Sequence, residues 1–232
     1  MNSPVNTSWI DIAPGLAGYL ALPPAGRGPG LLLFQEIFGV NRHIQAVAEQ
    51  YALDGFVVLA PDLFWRQAPR VELGYAGDDW KRAFALMQGY APAEAVADIA
   101  ASAAALRARP EVGGGKVGAV GYCMGGRMAY LAAATAGIDA AAPFYGGGIH
   151  LQLDRAAGIT CPMQFHYAGH DDHIPPEAVE SVRQAFAGKA AEVHVYPGSM
   201  HGFNCWERAS YHAPSAALAH GRTLQFLATR LF

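Results

Sequence analysis

Short apolar runs alternate with longer stretches of helical spacing along this chain. Gly30-Leu-Leu-Leu-Phe-Gln35, ended by polar Gln35 and Glu36, reads as a buried strand. Phe56–Ala60 (stopped by Pro61-Asp62), Val117–Gly121, Ala140–Tyr145, Met163–Tyr167 and Glu192–Tyr196 read the same way. Between them, Asn41–Leu53, Ala93–Arg109, Gly125–Ala136, Pro176–Phe186 and Ala216–Leu231 read as helices, with Asn41 placed as a cap and Pro176 at a helix start. The cluster Pro23–Gly30 reads as a turn between two strands, not a domain boundary. Such alternation predicts an α/β fold, a mostly parallel sheet covered on both faces. The 232 residues suit one domain spanning 1–232. In sheets of this kind functional groups gather at the carboxyl ends of the strands.

The strand Val117–Gly121 runs into Gly121-Tyr-Cys-Met-Gly-Gly126 and then a helix. This is the strand–turn–helix setting of a nucleophile elbow, with Cys123 in the place usually held by serine. Small neighbours allow the sharp turn. The helix N-terminus favours thiolate over thiol, and the backbone N–H of Met124 is placed to stabilise an oxyanion. A buried structural cysteine is the alternative; the strand before and the helix after favour the elbow.

An acid and a base are then expected downstream, in that order. Asp171 and Asp172 end the strand Met163–Tyr167, and His201 follows the strand Glu192–Tyr196. Histidine titrates near neutrality, so it can take and return a proton, while a carboxylate fixes its tautomer. His166, His170, His173 and His194 raise a rival metal reading, but their spacing across a strand end and a loop does not suit zinc. No metal and no cofactor is expected.

Composition narrows the setting. With 16 Lys+Arg against 19 Asp+Glu, the net charge is −3, and no basic block is present, so nucleic acid is not an expected partner. No apolar stretch approaches membrane length, and Met1–Ile10 lacks a signal-peptide pattern. Three unpaired-looking cysteines, Cys123, Cys161 and Cys205, suit a reducing compartment, so a cytoplasmic monomer or weak homo-oligomer acting on a small molecule is expected.

The elbow resembles that of the dienelactone hydrolase (carboxymethylenebutenolidase) family. So do Phe34-Gln-Glu-Ile-Phe-Gly-Val-Asn41, Ala60-Pro-Asp-Leu-Phe64, Arg66-Gln-Ala-Pro69, Phe144-Tyr-Gly-Gly147 and His201-Gly-Phe203. The resemblance covers nearly the whole chain. It implies a minimal α/β-hydrolase fold that opens a small lactone or enol ester, with Cys123 as nucleophile, His201 as base and Asp171 as acid. The resemblance also implies Asp171 and not Asp172, since the family spacing of Asp, two residues and Val/Ile-Pro runs here from Asp171 to Ile174-Pro175. The resemblance further implies that Glu36 regulates and deprotonates the cysteine and that the Ile37 N–H is the second oxyanion donor. A Glu36 salt-bridged to Arg42 is the plainer alternative.

Two positions depart from the family. The arginine expected four residues after the histidine is Cys205, with Arg208 the nearest cation, and the second falls near Lys81 and Arg82 within a poorly matching stretch, Val71–Pro92. Arginine's two-pronged grip on a carboxylate is not reproduced by other side chains. Phe38, Tyr145 and Trp206 are further candidates for the substrate pocket. A broad carboxylesterase, a redox thiol protein with Cys161 or Cys205 as resolving partner, and a non-catalytic binding module are the competing functions.

Overall fold

Eight strands form one sheet in the computed structural model, which describes residues 4–232. Their order is β1-β2-β4-β3-β5-β6-β7-β8. The ranges are β1 Asn6–Ala13, β2 Leu16–Leu22, β3 Gly30–Phe34, β4 Val57–Pro61, β5 Val117–Tyr122, β6 Ala140–Phe144, β7 Met163–His170 and β8 Ala191–Met200. The strands from β4 to β8 across the sheet are parallel; β1 and β2 form an antiparallel margin. β3, β4, β5 and β6 are buried at every position, which is why they appear in the sequence as unbroken apolar runs.

Six α-helices cover the sheet: α1 Arg42–Leu53, α2 Gly77–Gly89, α3 Pro92–Arg107, α4 Met124–Thr135, α5 Pro176–Ala185 and α6 Ala213–Leu231. α3 and α4 pack together on one face; α1 and α6 meet on the other, where His220 approaches Gln50 and Asp54. Asn41 caps α1, its Oδ1 accepting from the Ile44 N–H at 3.2 Å. This is an α/β-hydrolase fold.

Three elements differ from the sequence expectation. β1 is largely exposed at the sheet margin, so it lacks the apolar run that marks the inner strands. α2 buries only Ala83 and Leu86, and its start carries Asp78 and Asp79, so no core-facing stripe announces it. A 3₁₀ segment, Ile149–Gly158, follows β6. Because the inner strands are parallel, the residues that follow β3, β5, β7 and β8 all emerge at one edge, and there the candidate residues meet.

Candidate active site

Cys123 sits between β5 and α4 with φ 56° and ψ −118°, a left-handed backbone rare for any side-chain-bearing residue. Such a conformation costs on the order of 1–3 kcal/mol and persists only where the surroundings impose it. Here the Cys123 N–H donates to the Phe144 carbonyl at 3.1 Å, and the Cys123 carbonyl accepts from the Gly126 N–H at 2.9 Å. Close packing also dictates the glycines. A Cβ on Gly125 would strike the carbonyl oxygens of Phe34 and Gln35, so only glycine lets α4 begin against the end of β3. Met124, the first residue of α4, carries an N–H with no partner inside the helix.

His201 directly follows β8, and Asp171 directly follows β7. The His201 Nδ1 lies 2.9 Å from Asp171 Oδ2 and 3.1 Å from Oδ1. Asp171 is itself held, since Oδ1 accepts from the N–H groups of His173 and Ile174 at 2.9 and 3.1 Å. Asp172 is exposed. The other ring nitrogen of His201, Nε2, is buried and meets no hydrogen-bonding nitrogen or oxygen among the described residues; Cys123 acts on the imidazole both by its charge and as a hydrogen-bond partner. Burial opposes the imidazolium, but the Cys123 sulfur and the Asp171 carboxylate outweigh it and push His201 up to about 10. The edges of two rings, Tyr145 and His173, meet His201 at centroid distances of 5.0 and 4.9 Å.

Glu36, just past β3, is buried and pairs with Arg208, Nη1 to Oε1 at 2.9 Å; its partner is not Arg42. Its Oε2 is buried with no nitrogen or oxygen partner among the described residues, and the Cys205 thiol acts on the carboxylate as a hydrogen-bond donor. Burial raises the Glu36 pKa above the usual carboxylate range, against the lowering effect of Arg208 and His201. Gly202, with φ +81°, leaves room for the Arg208 guanidinium, which a Cβ there would strike. Cys205 is buried beside Glu36, and burial together with the Glu36 charge pushes its thiol up to about 12.

A cleft of about 290 Å³ opens over these groups. Cys123, His201, Ile37, Met124, Phe38 and Arg208 all line it. Four expected pocket residues do not. Lys81 points to solvent and pairs with Asp78, and Arg82, its exposed neighbour on α2, also lies outside the cleft. Tyr145 is fully buried behind His201. Trp206 packs on His43, at 4.2 Å between ring centroids, and borders a separate surface hollow with Tyr211 and His220. The missed lining residues are Trp80, Phe84 and Met87 of α2, Arg127 of α4, Gly147, Gly148 and His173. Their spacing held the signal: 80, 84 and 87 share one helical face, and 127 lies one turn beyond 123.

Of the other histidines, His166 is buried and fully bonded to Tyr196, Gln164 and Thr223. Among the described residues no three His, Cys, Asp or Glu side chains are grouped to hold a metal ion. No helix among them is long and apolar enough to cross a membrane.

Residues 16–231 match the model of the dienelactone hydrolase family. The chain belongs to the dienelactone hydrolase family. It is 36% identical over 212 residues to a carboxymethylenebutenolidase of Pseudomonas sp. (strain P51), covering 90% of this chain and 88% of that one. A second carboxymethylenebutenolidase, from Cupriavidus pinatubonensis, is 32% identical over 212 residues, at 90% coverage of both. Among solved structures, a dienelactone hydrolase-like promiscuous phosphotriesterase from metagenomic libraries shares the fold, with a TM-score of 0.85 at 24% identity, covering 98% of this chain and 99% of that one. Family membership makes the chain a hydrolase.

Proposed function

We propose that this hydrolase opens a small lactone or enol ester through a cysteine thioacyl intermediate. The observation that carries the reading is the convergence on one cleft of Cys123, on its strained turn, and His201, tied to Asp171. With its own proton passed to Glu36, the Cys123 sulfur attacks the carbonyl carbon as a thiolate beside a protonated His201, and the carbonyl π pair moves to oxygen, where the N–H groups of Ile37 and Met124 stabilise it. The oxyanion collapses, the C–O bond to the leaving alkoxide breaks, and His201 gives that oxygen its proton. In a lactone the alcohol stays tethered to the acyl group. A water then loses a proton to His201 and attacks the thioester carbon, expelling the Cys123 thiolate and leaving the carboxylic acid. Asp171 fixes the imidazole tautomer throughout.

Glu36 belongs to the same scheme. A buried carboxylate with a raised pKa, and with one of its oxygens held by Arg208, is poised to accept the Cys123 proton. The names of the relatives favour a lactone. The apolar wall of Trp80, Phe84 and Met87 favours a second reading, a broader carboxylesterase on the same machinery. One sheet through the chain supports reading 1–232 as one domain.

The test follows loss of conjugated-lactone absorbance with cis- and trans-dienelactone, alongside Cys123→Ala. Turnover lost in the variant supports the lactonase. Cys123-dependent cleavage of a neutral aryl ester alone would keep the mechanism and move the substrate to the esterase reading. Hydrolysis that survives Cys123→Ala would overturn both.

A further inference from the structure

The cleft holds two cations with different commitments. Arg208 is engaged by Glu36 at 2.9 Å. Arg127 lines the same cleft yet makes no ion pair and no side-chain hydrogen bond among the described residues. It sits one turn into α4, its backbone N–H donating to the Cys123 carbonyl at 3.4 Å, so both side chains leave the same side of the helix start. The guanidinium lies beside Gly148, where an added Cβ would come within 3.2 Å of Nη1. Burial lowers the Arg127 pKa, because removing the cation from water is unfavourable, and only the nearby Cys123 sulfur acts in the opposite direction. A partly buried, unpaired guanidinium beside a candidate nucleophile has its five donors available to a ligand.

The α2 part of the lining is of the other kind. Trp80 and Phe84 stack with centroids 5.6 Å apart and planes 6° from parallel, and Met87 continues their face. They stay 42% and 39% exposed, too much apolar surface to be core packing alone.

We propose that Arg127 is the anion subsite of this cleft and that the α2 wall is its apolar subsite. The ester or lactone accepted here then carries a free carboxylate held two-pronged by Arg127, with its apolar portion against Trp80, Phe84 and Met87. This orientation rests on the hydrolase reading given above. It also answers the departures at Cys205 and around Lys81 and Arg82: the anion is taken from α4, not from α2.

Two measurements test it. The first compares para-nitrophenyl hydrogen glutarate, which is anionic, with neutral para-nitrophenyl pentanoate. Arg127→Met should lower the ratio of kcat/KM for the anionic over the neutral ester about 10- to 100-fold, mainly through KM, and Arg127→Lys should restore part of it. A ratio within about twofold of wild type, or an equal fall in kcat on both esters, would overturn the proposal and leave Arg127 as an electrostatic partner of Cys123. The second reads binding without chemistry: calorimetric titration of phenylbutyrate into Cys123→Ala and into Cys123→Ala/Arg127→Met. At least tenfold weaker binding in the double variant supports the subsite; equal binding overturns it. If neither ester is turned over, the hydrolase reading fails separately and the titration still decides the subsite.

Discussion

The carboxylate of Asp171 faces His201 with both oxygens, at 2.9 and 3.1 Å from Nδ1, while two backbone N–H groups hold it from behind. Asp171 therefore cannot turn away without losing those bonds. Asp171→Asn should lower kcat about 10²- to 10⁴-fold, because the amide favours the wrong imidazole tautomer. Asp172→Asn, at an exposed neighbour, should change kcat by less than about twofold. Steady-state kinetics on the two variants checks this.

His201 should titrate differently once the sulfur is gone. Cys123 and Asp171 raise it against burial, to about 10. In Cys123→Ala one raising cause disappears while burial and Asp171 remain, so the pKa should fall. The His201 ring protons followed by NMR between pH 5 and 11 report this, and an unchanged midpoint would contradict it. In the wild type the sign of the stability linkage is that of a raised histidine. Its contribution is fully present below the unfolded value near 6.5 and is lost as pH rises through about 10.

The ion pair of Glu36 with Arg208 is buried on the carboxylate side. Arg208→Met strands that carboxylate, at a cost on the order of 3–5 kcal/mol at neutral pH unless Glu36 takes up a proton. The melting temperature of Arg208→Met should therefore drop, and drop more as pH rises. Glu36→Gln/Arg208→Met should recover much of the loss, and scanning calorimetry at pH 6 and pH 8.5 separates the cases.

Acid should weaken the fold through buried neutral histidines. Burial, with Arg208 nearby, holds His43 down to about 4, and burial likewise lowers His166. Both pKa values lie below the unfolded value, so their contribution is present above about 6.5 and lost as pH falls toward 4. His43→Leu should narrow the gap in melting temperature between pH 7.5 and pH 5. An unaltered gap would assign acid sensitivity elsewhere.

Gly125→Ala should cost at least about 1–3 kcal/mol, because its Cβ meets backbone oxygens of Phe34 and Gln35 that cannot step aside. Urea unfolding measures it. Gly137→Ala, where no atom lies within 4 Å but φ is +59°, should cost only the backbone strain.

What could be read from the sequence followed from where water is excluded. β3 to β6 are buried on both faces, so each shows as an apolar run, and the elbow glycines are dictated by backbone collisions that leave no substitute. Asn41 was legible because capping is local chemistry. The α2 wall was less so: positions 80, 84 and 87 share a helical face, but that face alone did not mark a cleft. α2 turns Trp80 and Phe84 toward the site and not the core, so no buried stripe marked them as functional. Tyr145 and Trp206 are aromatic residues near site motifs, yet one ended behind His201 and the other over His43, which only the tertiary course of the chain decides. Arg208 reaches Glu36 across 172 positions, a distance that no local pattern encodes.

The slight burial of α2 bears on how such a protein can change over generations. Ala83 and Leu86, with partly buried Met87, tie this helix to the interior, whereas the reacting groups hang from the ends of inner strands. Replacing Trp80 or Phe84 therefore alters what the cleft admits while the packing that sets Cys123 and His201 stays intact. Duplicated copies of the gene could part company in diet by substitutions on one helical face, long before any of them risked its ability to fold.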